Sequence, residues 1–204
     1  MLFDDTYKTI KHSSEGIFRD KGSKFIAYAY PITEENQIKV IVNRLKGEHT
    51  KARHFCWAMR LTPDWNIFRL NDDGEPSGTA GRPILNILLS NDVTIVLVVV
   101  VRYFGGTLLG VPGLINAYKS ATSEALLANE IVLKSVNDVY EITFDYLSMN
   151  QIMRLMKDEQ LDILNQEFDV NCMVKFAVRK SNLNNVLSKL EKVENAMIKY
   201  LYTY

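Results

Sequence analysis

The segment VTIVLVVVV, residues 93–101, is apolar on both faces of an extended chain and runs directly into RYFGGTLLGVPG, residues 102–113. A strand that is apolar on both faces is typical of a sheet that is covered on both sides. The glycine-rich segment after it predicts a tight turn, and the apolar spacing beyond predicts a long helix over about 114–129. This part of the chain is therefore expected to hold a buried strand that leads through a turn into a helix.

Outward from this strand, the first half alternates strand and helix patterns. Gly22 favours a turn between the first two strands, and Thr33 is placed as the N-cap of a helix with Glu34 and Glu35 in its first turn. The predicted elements are strands at 14–19 and 23–31, a helix at about 33–46, a hairpin of 54–61 with 66–71 that turns at Thr62–Pro63–Asp64, a helix at about 83–89, and a strand or linker that begins at 131–133.

The second half has the order β-α-β-β-α-β. Ser148 is placed as the N-cap of its first helix, and Ser181 or Asn182 as the N-cap of its second. The predicted elements are strands at 139–147, 161–168, 172–179 and 196–204, helices at about 148–157 and from 181, and a turn at Asp169–Val170–Asn171. This order is that of the ferredoxin-like fold, so we expect an α+β protein with domains at 1–135 and 136–204.

The composition excludes several classes of protein. Of 204 residues, 47% are hydrophobic, which is far too many for a disordered chain. The 24 basic and 24 acidic residues give a net charge of zero. Up to residue 135 there are 16 basic and 14 acidic residues, and beyond it 8 and 10, so the halves carry +2 and −2. Neither half has the excess of positive charge that electrostatic binding of nucleic acid needs.

The cysteines and the apolar runs predict a cytoplasmic protein. Cys56 and Cys172 are far apart and belong to no CxxC pair, so neither a disulfide framework nor a zinc site is indicated. The N-terminal residues MLFDDTYKTIK have two aspartates before any basic residue and lack the basic-then-apolar pattern of a secretory signal. The longest apolar run is much shorter than the ~20 residues of a membrane helix. We expect no metal, no cofactor and no membrane partner.

The segment NDDGEPSGTAGRP, residues 71–83, has no apolar period and is a candidate site. Next to Arg82 it carries carboxylates and hydroxyls within eight residues: Asp72, Asp73, Glu75, Ser77 and Thr79. The carboxylates would suit a divalent cation, the hydroxyls would donate to a phosphate, and Glu75 would serve as a general base. The alternative is an acidic surface loop whose polar groups cap its own turns.

A second glycine-rich loop, residues 105–110, joins the buried strand to the long helix. Its backbone N–H groups and the helix N-terminus favour an anion, although the loop matches neither the Walker A nor the GxGxxG pattern. The alternative is a tight corner with no ligand. The hypothesis for an anion- or partner-binding site, with no catalytic residue assigned, comprises Asp73, Glu75, Ser77, Thr79, Arg82, Arg102, Gly105, Gly106 and Gly110.

Two further features have weaker functional interpretations. His54 and Cys56 lie two residues apart in a predicted strand and so share one face, as in a Cys/His nucleophile, but a packed cysteine beside a hydrogen-bonded histidine has the same pattern. No strand carries the basic and aromatic run of an RNA-binding motif. The best local cations form only a weak patch: Lys21, Lys24, Lys51 and Arg53.

Four stretches together resemble the IMPACT/YigZ family over the whole chain. They are RDKGSKFIAYAYPI (19–32), HFCWAMRL (54–61), NDDGEPSGTAGRPIL (71–85) and VVVVRYFGGTLLG (98–110), followed by Gly113–Leu114 and Ala117–Tyr118. Two residues depart from the family pattern: Pro112 precedes Gly113, and Asn116 stands where the family has an arginine. An arginine there would lie in the first turn of the long helix and bind a phosphate, so Asn116 weakens any shared anion site.

The resemblance implies a fold and a process. It implies that the first domain is similar to the second domain of ribosomal protein S-five and the second to a domain of elongation factor G. Eukaryotic relatives regulate translation chiefly through an additional N-terminal domain, so that particular role is not carried over. We expect a non-enzymatic, translation-associated regulatory protein that binds the ribosome, RNA or a translation factor. The alternative is an enzyme or sensor of a small phosphorylated ligand that uses the two glycine-rich loops.

Overall fold

The computed structural model describes residues 5–62, 67–169 and 171–204, with residue 171 described for its backbone alone. The chain forms two compact units: Tyr7–Lys134, and Ser135–Tyr204 together with Asp5 and Thr6. The turns predicted at Thr62–Pro63–Asp64 and at Asp169–Val170–Asn171 fall partly outside the described residues. Within those residues, no helix is long and apolar enough to cross a membrane.

The first unit is built on a five-stranded antiparallel sheet. In chain order the elements are β1 (Thr6–Ile10), β2 (Ser14–Asp20), β3 (Ser23–Pro31), α1 (Asn36–Glu48), β4 (His54–Arg60), β5 (Phe68–Asn71), α2 (Gly81–Ser90), β6 (Val96–Tyr103), α3 (Gly110–Leu127) and β7 (Ile131–Ser135). The strand order of the sheet is β2-β3-β6-β4-β5, and β1 pairs with β7 separately. The valine-rich strand β6 therefore occupies the centre of the sheet, as the sequence predicts.

Helices cover both faces of the sheet, which explains why β6 is apolar throughout. On one face, Val98 and Val100 belong to a core that includes residues of α2 and α3. On the other face, Val99 and Val101 pack in a second core, with Leu45 of α1. Successive residues of a strand point to opposite faces, so only a continuous apolar run buries both.

Two predicted helix starts are wrong. Helix α1 begins at Asn36, so Thr33 is not its N-cap, and the backbone N–H groups of Thr33 and Glu34 donate instead to the Gln37 side chain at 2.7 and 3.0 Å. Helix α3 begins at Gly110, four residues earlier than predicted. The last four residues of the glycine-rich segment therefore form the first turn of α3, where Pro112 is tolerated, and Leu114 directly after them packs in the core.

The second unit has the β-α-β-β-α-β order that the sequence predicts. Its elements are β8 (Asn137–Asp145), α4 (Met149–Asp158), β9 (Asp162–Glu167), β10 (Asn171–Arg179), α5 (Leu183–Leu190) and β11 (Met197–Thr203). The sheet order is β11-β8-β10-β9, and every described pairing is antiparallel. This is the ferredoxin-like arrangement. Ser148 stands at the N-cap of α4, but its side chain makes no capping hydrogen bond.

The close packing of β2 on α3 gives a test of the first unit. A Cβ at Gly16 would lie 2.2 Å from the backbone nitrogen of Ala125, whereas a Cβ at Gly47 in α1 would meet nothing within 4 Å. Gly16→Ala is therefore expected to lower the free energy of unfolding by about 3 kcal/mol, because backbone must move.

The matched control, Gly47→Ala, is expected to leave that free energy unchanged or to raise it by up to ~1 kcal/mol, since alanine favours a helix over glycine. Urea denaturation of both variants measures the difference. Equal effects of the two substitutions would contradict the close approach of β2 and α3.

Candidate functional site

The loop between β5 and α2, residues 72–80, is called here the acidic loop, and Asp72 organises it. One Asp72 oxygen, Oδ1, accepts hydrogen bonds from the N–H groups of Ala80 and Gly81 at 3.1 and 2.8 Å, and Oδ2 accepts one from Gly78 at 2.9 Å. The carboxylate therefore caps the N-terminus of α2 from within the chain.

Strand β4 holds the other side of the acidic loop. The Asp73 carboxylate accepts a hydrogen bond from the Phe55 N–H at 2.7 Å, and the Asp73 carbonyl lies 2.9 Å from His54 Nδ1. The Cys56 thiol donates to the Asp72 carbonyl at 3.0 Å. His54 and Cys56, which share a face of β4, thus bind loop backbone. Among the described residues, no group of three or more His, Cys, Asp or Glu side chains is placed to hold a metal ion.

Glu75 points into the protein and joins the acidic loop to β6 and α3. Its Oε1 accepts hydrogen bonds from Arg102 Nη1 at 2.5 Å and from the Tyr118 hydroxyl at 2.8 Å. Only 8% of Glu75 and 6% of Arg102 is exposed, and Tyr118 is fully buried. The Cys56 sulphur lies 3.3 Å from the Tyr118 oxygen. These four residues, Cys56, Glu75, Arg102 and Tyr118, form what we call the buried network.

The buried network keeps its thiol and its phenol neutral. Burial raises the pKa of Cys56 and of Tyr118 above their ordinary values, because a thiolate or a phenolate would lose its hydration. A protonated, enclosed thiol is a poor nucleophile. The arrangement of His54 and Cys56 therefore supports a packed cysteine beside a hydrogen-bonded histidine rather than covalent catalysis.

The segment 104–109, called here the glycine loop, follows Arg102 by two residues. The Gly105 N–H donates to the Ser23 hydroxyl at 3.1 Å, and a Cβ at Gly105 would lie only 2.0 Å from the carbonyl carbon of Gly22. The Arg102 guanidinium lies over the Phe104 ring, 5.6 Å from its centroid. Since Arg102 also pairs with Glu75, the two loops lie at the same edge of the unit and both are fastened to the Arg102 side chain.

The remaining candidate residues are placed differently from one another. The Thr79 hydroxyl donates to the Pro76 carbonyl at 2.6 Å and so caps a turn of its own loop. Ser77 and Arg82 are exposed. Gly106 and Gly110 both have positive φ, 86° and 71°, which favours glycine at these positions. The structure thus brings Glu75 and Arg102 together, places Gly105 against Gly22 and Ser23, and leaves the Ser77 hydroxyl and Arg82 at the surface.

The earlier start of α3 changes the interpretation of Asn116. This residue was expected in the first turn, but α3 begins at Gly110, so Asn116 lies in the second turn and is exposed. The attraction of a helix N-terminus for anions falls off beyond the first turn. An arginine at this position would therefore owe little of its phosphate binding to the start of the helix.

Sequence reasoning missed Tyr118 as a partner of Glu75 and Cys56 as a partner of Tyr118. A signal for Tyr118 existed: it is a large residue with a polar end on the buried side of α3, among small residues that include Ala117 and Ala121. A buried tyrosine hydroxyl usually finds a partner, so this position indicated a polar contact in the core. No local pattern marks Cys56, whose role follows from the pairing of β4 with β6.

The fold and the site together define a class: two-domain α+β proteins whose first domain carries two loops fastened to one buried arginine. The Impact N-terminal domain model matches residues 21–126, which include both loops. An IMPACT family member of Haemophilus influenzae is 33% identical over 172 residues, which make up 83% of this chain and 84% of that protein. The chain therefore belongs to the IMPACT family.

Further relatives extend this likeness over nearly the whole chain. The IMPACT family member YigZ of Escherichia coli is 30% identical over 183 residues, 89% of this chain and 90% of that protein. A crystal structure of a hypothetical protein superimposes with a TM-score of 0.73 at 27% identity and covers 97% of this chain. This chain covers 98% of that protein, so the two share both units.

The buried network predicts that removal of the Glu75 charge strongly lowers the free energy of unfolding. Glu75→Gln leaves the Arg102 guanidinium buried without a counter-charge, and is expected to lower the free energy of unfolding by about 3 kcal/mol. Glu130→Gln breaks the exposed pair of Lys11 with Glu130 and is expected to cost less than ~1 kcal/mol. Urea denaturation measures both. A cost for Glu75→Gln no larger than for Glu130→Gln would contradict the burial of the pair.

The two buried thiols predict low reactivity in the native protein and a stability that decreases at high pH. Cys56 and Cys172 are free and buried, so the native protein is expected to release almost no colour from Ellman's reagent, and the unfolded chain to react at both. Because folding raises the pKa of Cys56, the unfolded state ionises first, and the free energy of unfolding is expected to fall as pH rises above about 8.5. Rapid native labelling, or stability that increases over this range, would contradict the account.

Proposed function

We propose that this protein is a non-enzymatic, translation-associated binding protein that docks on the ribosome or a translation factor through its two fastened loops. The docking surface comprises the exposed parts of the acidic loop and the glycine loop with the first turn of α3, and we call it the docking rim. Membership of the IMPACT family, and the role in translation that the resemblance of the signature stretches implies, support the process.

One observation carries the proposal. The charges of Glu75 and Arg102 neutralise each other in the interior, and the surface beside them presents apolar side chains: Leu108 is 82% exposed, and Phe104 and Val111 are about half exposed. Adjacent exposed apolar residues on a rigid base are typical of protein–protein contacts, where a few such anchors supply most of the affinity. This surface supports a protein component of the translation machinery as the direct partner.

The polar groups nearby support binding over chemistry. The Asp72 and Asp73 carboxylates accept hydrogen bonds from backbone N–H groups, and the Thr79 hydroxyl donates to Pro76. A general base or a phosphate donor must reach a substrate, whereas these groups are already engaged within the loop. Their work is to hold the rim in one conformation, which lowers the entropic cost of docking.

Co-sedimentation with ribosomes tests this proposal. We expect the wild-type protein to pellet with ribosomes at micromolar concentration, and Leu108→Ser to weaken binding tenfold or more, because truncating an anchor typically costs about 2 kcal/mol. The matched control is Leu127→Ser, which changes a residue that is 78% exposed at the C-terminal end of α3, the helix that follows the glycine loop. Binding of the control is expected to equal that of the wild type.

Two outcomes would overturn the proposal. One is the absence of the protein from the pellet at all concentrations, together with no binding to purified translation factors. The other is equal binding by Leu108→Ser and Leu127→Ser, which would remove the rim from the interface. Thermal stabilisation by a nucleotide or sugar phosphate that Leu108→Ser leaves intact, without ribosome binding, would instead favour a small-ligand sensor, since a ligand at 100-fold its Kd stabilises by about 2.7 kcal/mol.

A further inference from the structure

Three basic residues and a tyrosine form a single row across the sheet of the first unit. Arg19 of β2 pairs with Lys24 of β3, and Lys24 pairs with Tyr103 of β6. Arg53 directly precedes β4, and its N–H donates to the carbonyl of Arg102, the neighbour of Tyr103, at 3.4 Å. Residues level with one another in neighbouring strands have side chains on the same face. We call Arg19, Lys24, Tyr103 and Arg53 the cationic row.

The cationic row lies on the face of the sheet opposite to α2 and α3. Tyr103 shares its face with Val99 and Val101, whose core α1 completes, while the face toward α2 and α3 carries Val98 and Val100. Arg19 and Arg53 are exposed, and Lys24 and Tyr103 are half-buried. Helix α1 therefore leaves this part of the sheet accessible to solvent, and it is a different surface from the docking rim.

The cations of the row differ in their partners from several other basic residues of this unit. Five other basic residues of the unit form ion pairs: Lys8–Asp92, Lys11–Glu130, Arg44–Glu48, Arg69–Glu35 and Arg102–Glu75. Within residues 5–62, 67–169 and 171–204, Arg19, Lys24 and Arg53 have no carboxylate oxygen within 4.0 Å. Like charges directly opposite in a sheet are destabilising, and Arg19 faces Lys24. An anion against the row would relieve this repulsion.

Aromatic rings adjoin the row and are held in place. His49 Nδ1 lies 2.7 Å from the Tyr103 hydroxyl, and Nε2 lies 2.9 Å from the Tyr28 hydroxyl. Tyr28 and Tyr30 stack with their ring centroids 6.4 Å apart. All three tyrosines are half-buried, and the Arg44 guanidinium lies over the Tyr30 ring, 5.2 Å from its centroid. The surface thus combines the cations of the row with planar rings of fixed orientation.

We propose that this face binds a single-stranded nucleic acid segment, with the cations of the row against phosphates and the tyrosine rings against bases. Grooves that bind single strands combine these two features, since cations follow the backbone and aromatic rings stack on bases of any sequence. A folded duplex hides its bases, and an acidic peptide has no planar bases to stack. The chemistry therefore matches an unpaired strand, and it does not depend on the docking rim.

Fluorescence anisotropy with a fluorescein-labelled single-stranded oligouridine of about twelve nucleotides tests the proposal. The variant Arg19→Gln/Lys24→Gln/Arg53→Gln is expected to bind at least tenfold more weakly than the wild type at about 50 mM salt. In a plot of log K against log salt concentration, the slope for this variant is expected to be less negative by about 2, since each phosphate contact on a single strand contributes ~0.7. The control Lys8→Gln/Lys39→Gln/Lys134→Gln makes the same change in net charge at exposed lysines away from the row, and is expected to bind within twofold of the wild type.

Two substitutions of Tyr103 test whether its ring stacks on a base. Tyr103→Leu is expected to weaken binding at least fivefold with an unchanged salt dependence, because it removes a stacking surface and no charge. Tyr103→Phe keeps the ring and is expected to bind much as the wild type does. An effect of Phe equal to that of Leu would assign the loss to the bond with His49, and would overturn the stacking role.

Stability measurements separate a binding role from a failure to fold. The variant Lys24→Gln removes half of the like-charged pair, so its urea midpoint without nucleic acid is expected to equal or exceed that of the wild type. The proposal fails if the wild type does not bind the oligouridine at about 50 mM salt and high micromolar protein. It also fails if both triple variants lose binding equally, if a duplex of the same length binds more tightly, or if uridine monophosphate competes as well as the oligonucleotide does.

Discussion

The ion pair of Glu75 with Arg102 is the contact on which the first unit's functional edge depends. It joins a loop of irregular backbone to the central strand of the sheet, and Tyr118 adds a hydrogen bond from α3. A buried pair is stable only if most of its hydrogen-bonding needs are met, and here the Tyr118 phenol supplies a second bond to Glu75, whereas Arg102 Nε has no hydrogen-bond partner among the described residues. Because Arg102 also lies over Phe104, the same side chain helps to position the glycine loop, together with the hydrogen bond from Gly105 to Ser23.

Because the carboxylates of the acidic loop are bound within the protein, the surface beside them carries little charge. The carboxylates that suggest metal or acid–base chemistry serve as caps and as a counter-charge, and the exposed rim presents apolar side chains, backbone and the Ser77 hydroxyl. Three cations that form no ion pair within the described part of the chain lie instead on the other face of the sheet, in the row that includes Lys24. A net charge of zero therefore coexists with a local concentration of positive charge, because the register of the strands aligns these three side chains. The two surfaces have different chemistry, and a protein partner and a nucleic acid strand suit them separately.

The sequence predicted what depends on local periodicity. The alternation in 172–179 and the apolar run at 93–101 were sufficient for β10 and β6, and the order of patterns was sufficient for the ferredoxin-like unit. The start of α1 was wrong, because the Gln37 side chain binds the N–H groups for which Thr33 was expected to provide the cap. The buried network and the cationic row could not be found this way. Glu75 and Tyr118 are 43 residues apart, and Arg19, Lys24 and Arg53 become neighbours only through the register of the strands.

Hydrogen–deuterium exchange of the two loops in Glu75→Gln tests the central claim most directly. If the ion pair fastens both loops, amide protection in residues 72–80 and 104–109 falls together in the variant, while β8 and β10 of the second unit keep their wild-type rates, since exchange reports local opening. Faster exchange in the acidic loop alone, with the glycine loop unchanged, would contradict a shared attachment. In that case the two loops would be independent neighbours and no single rim would exist.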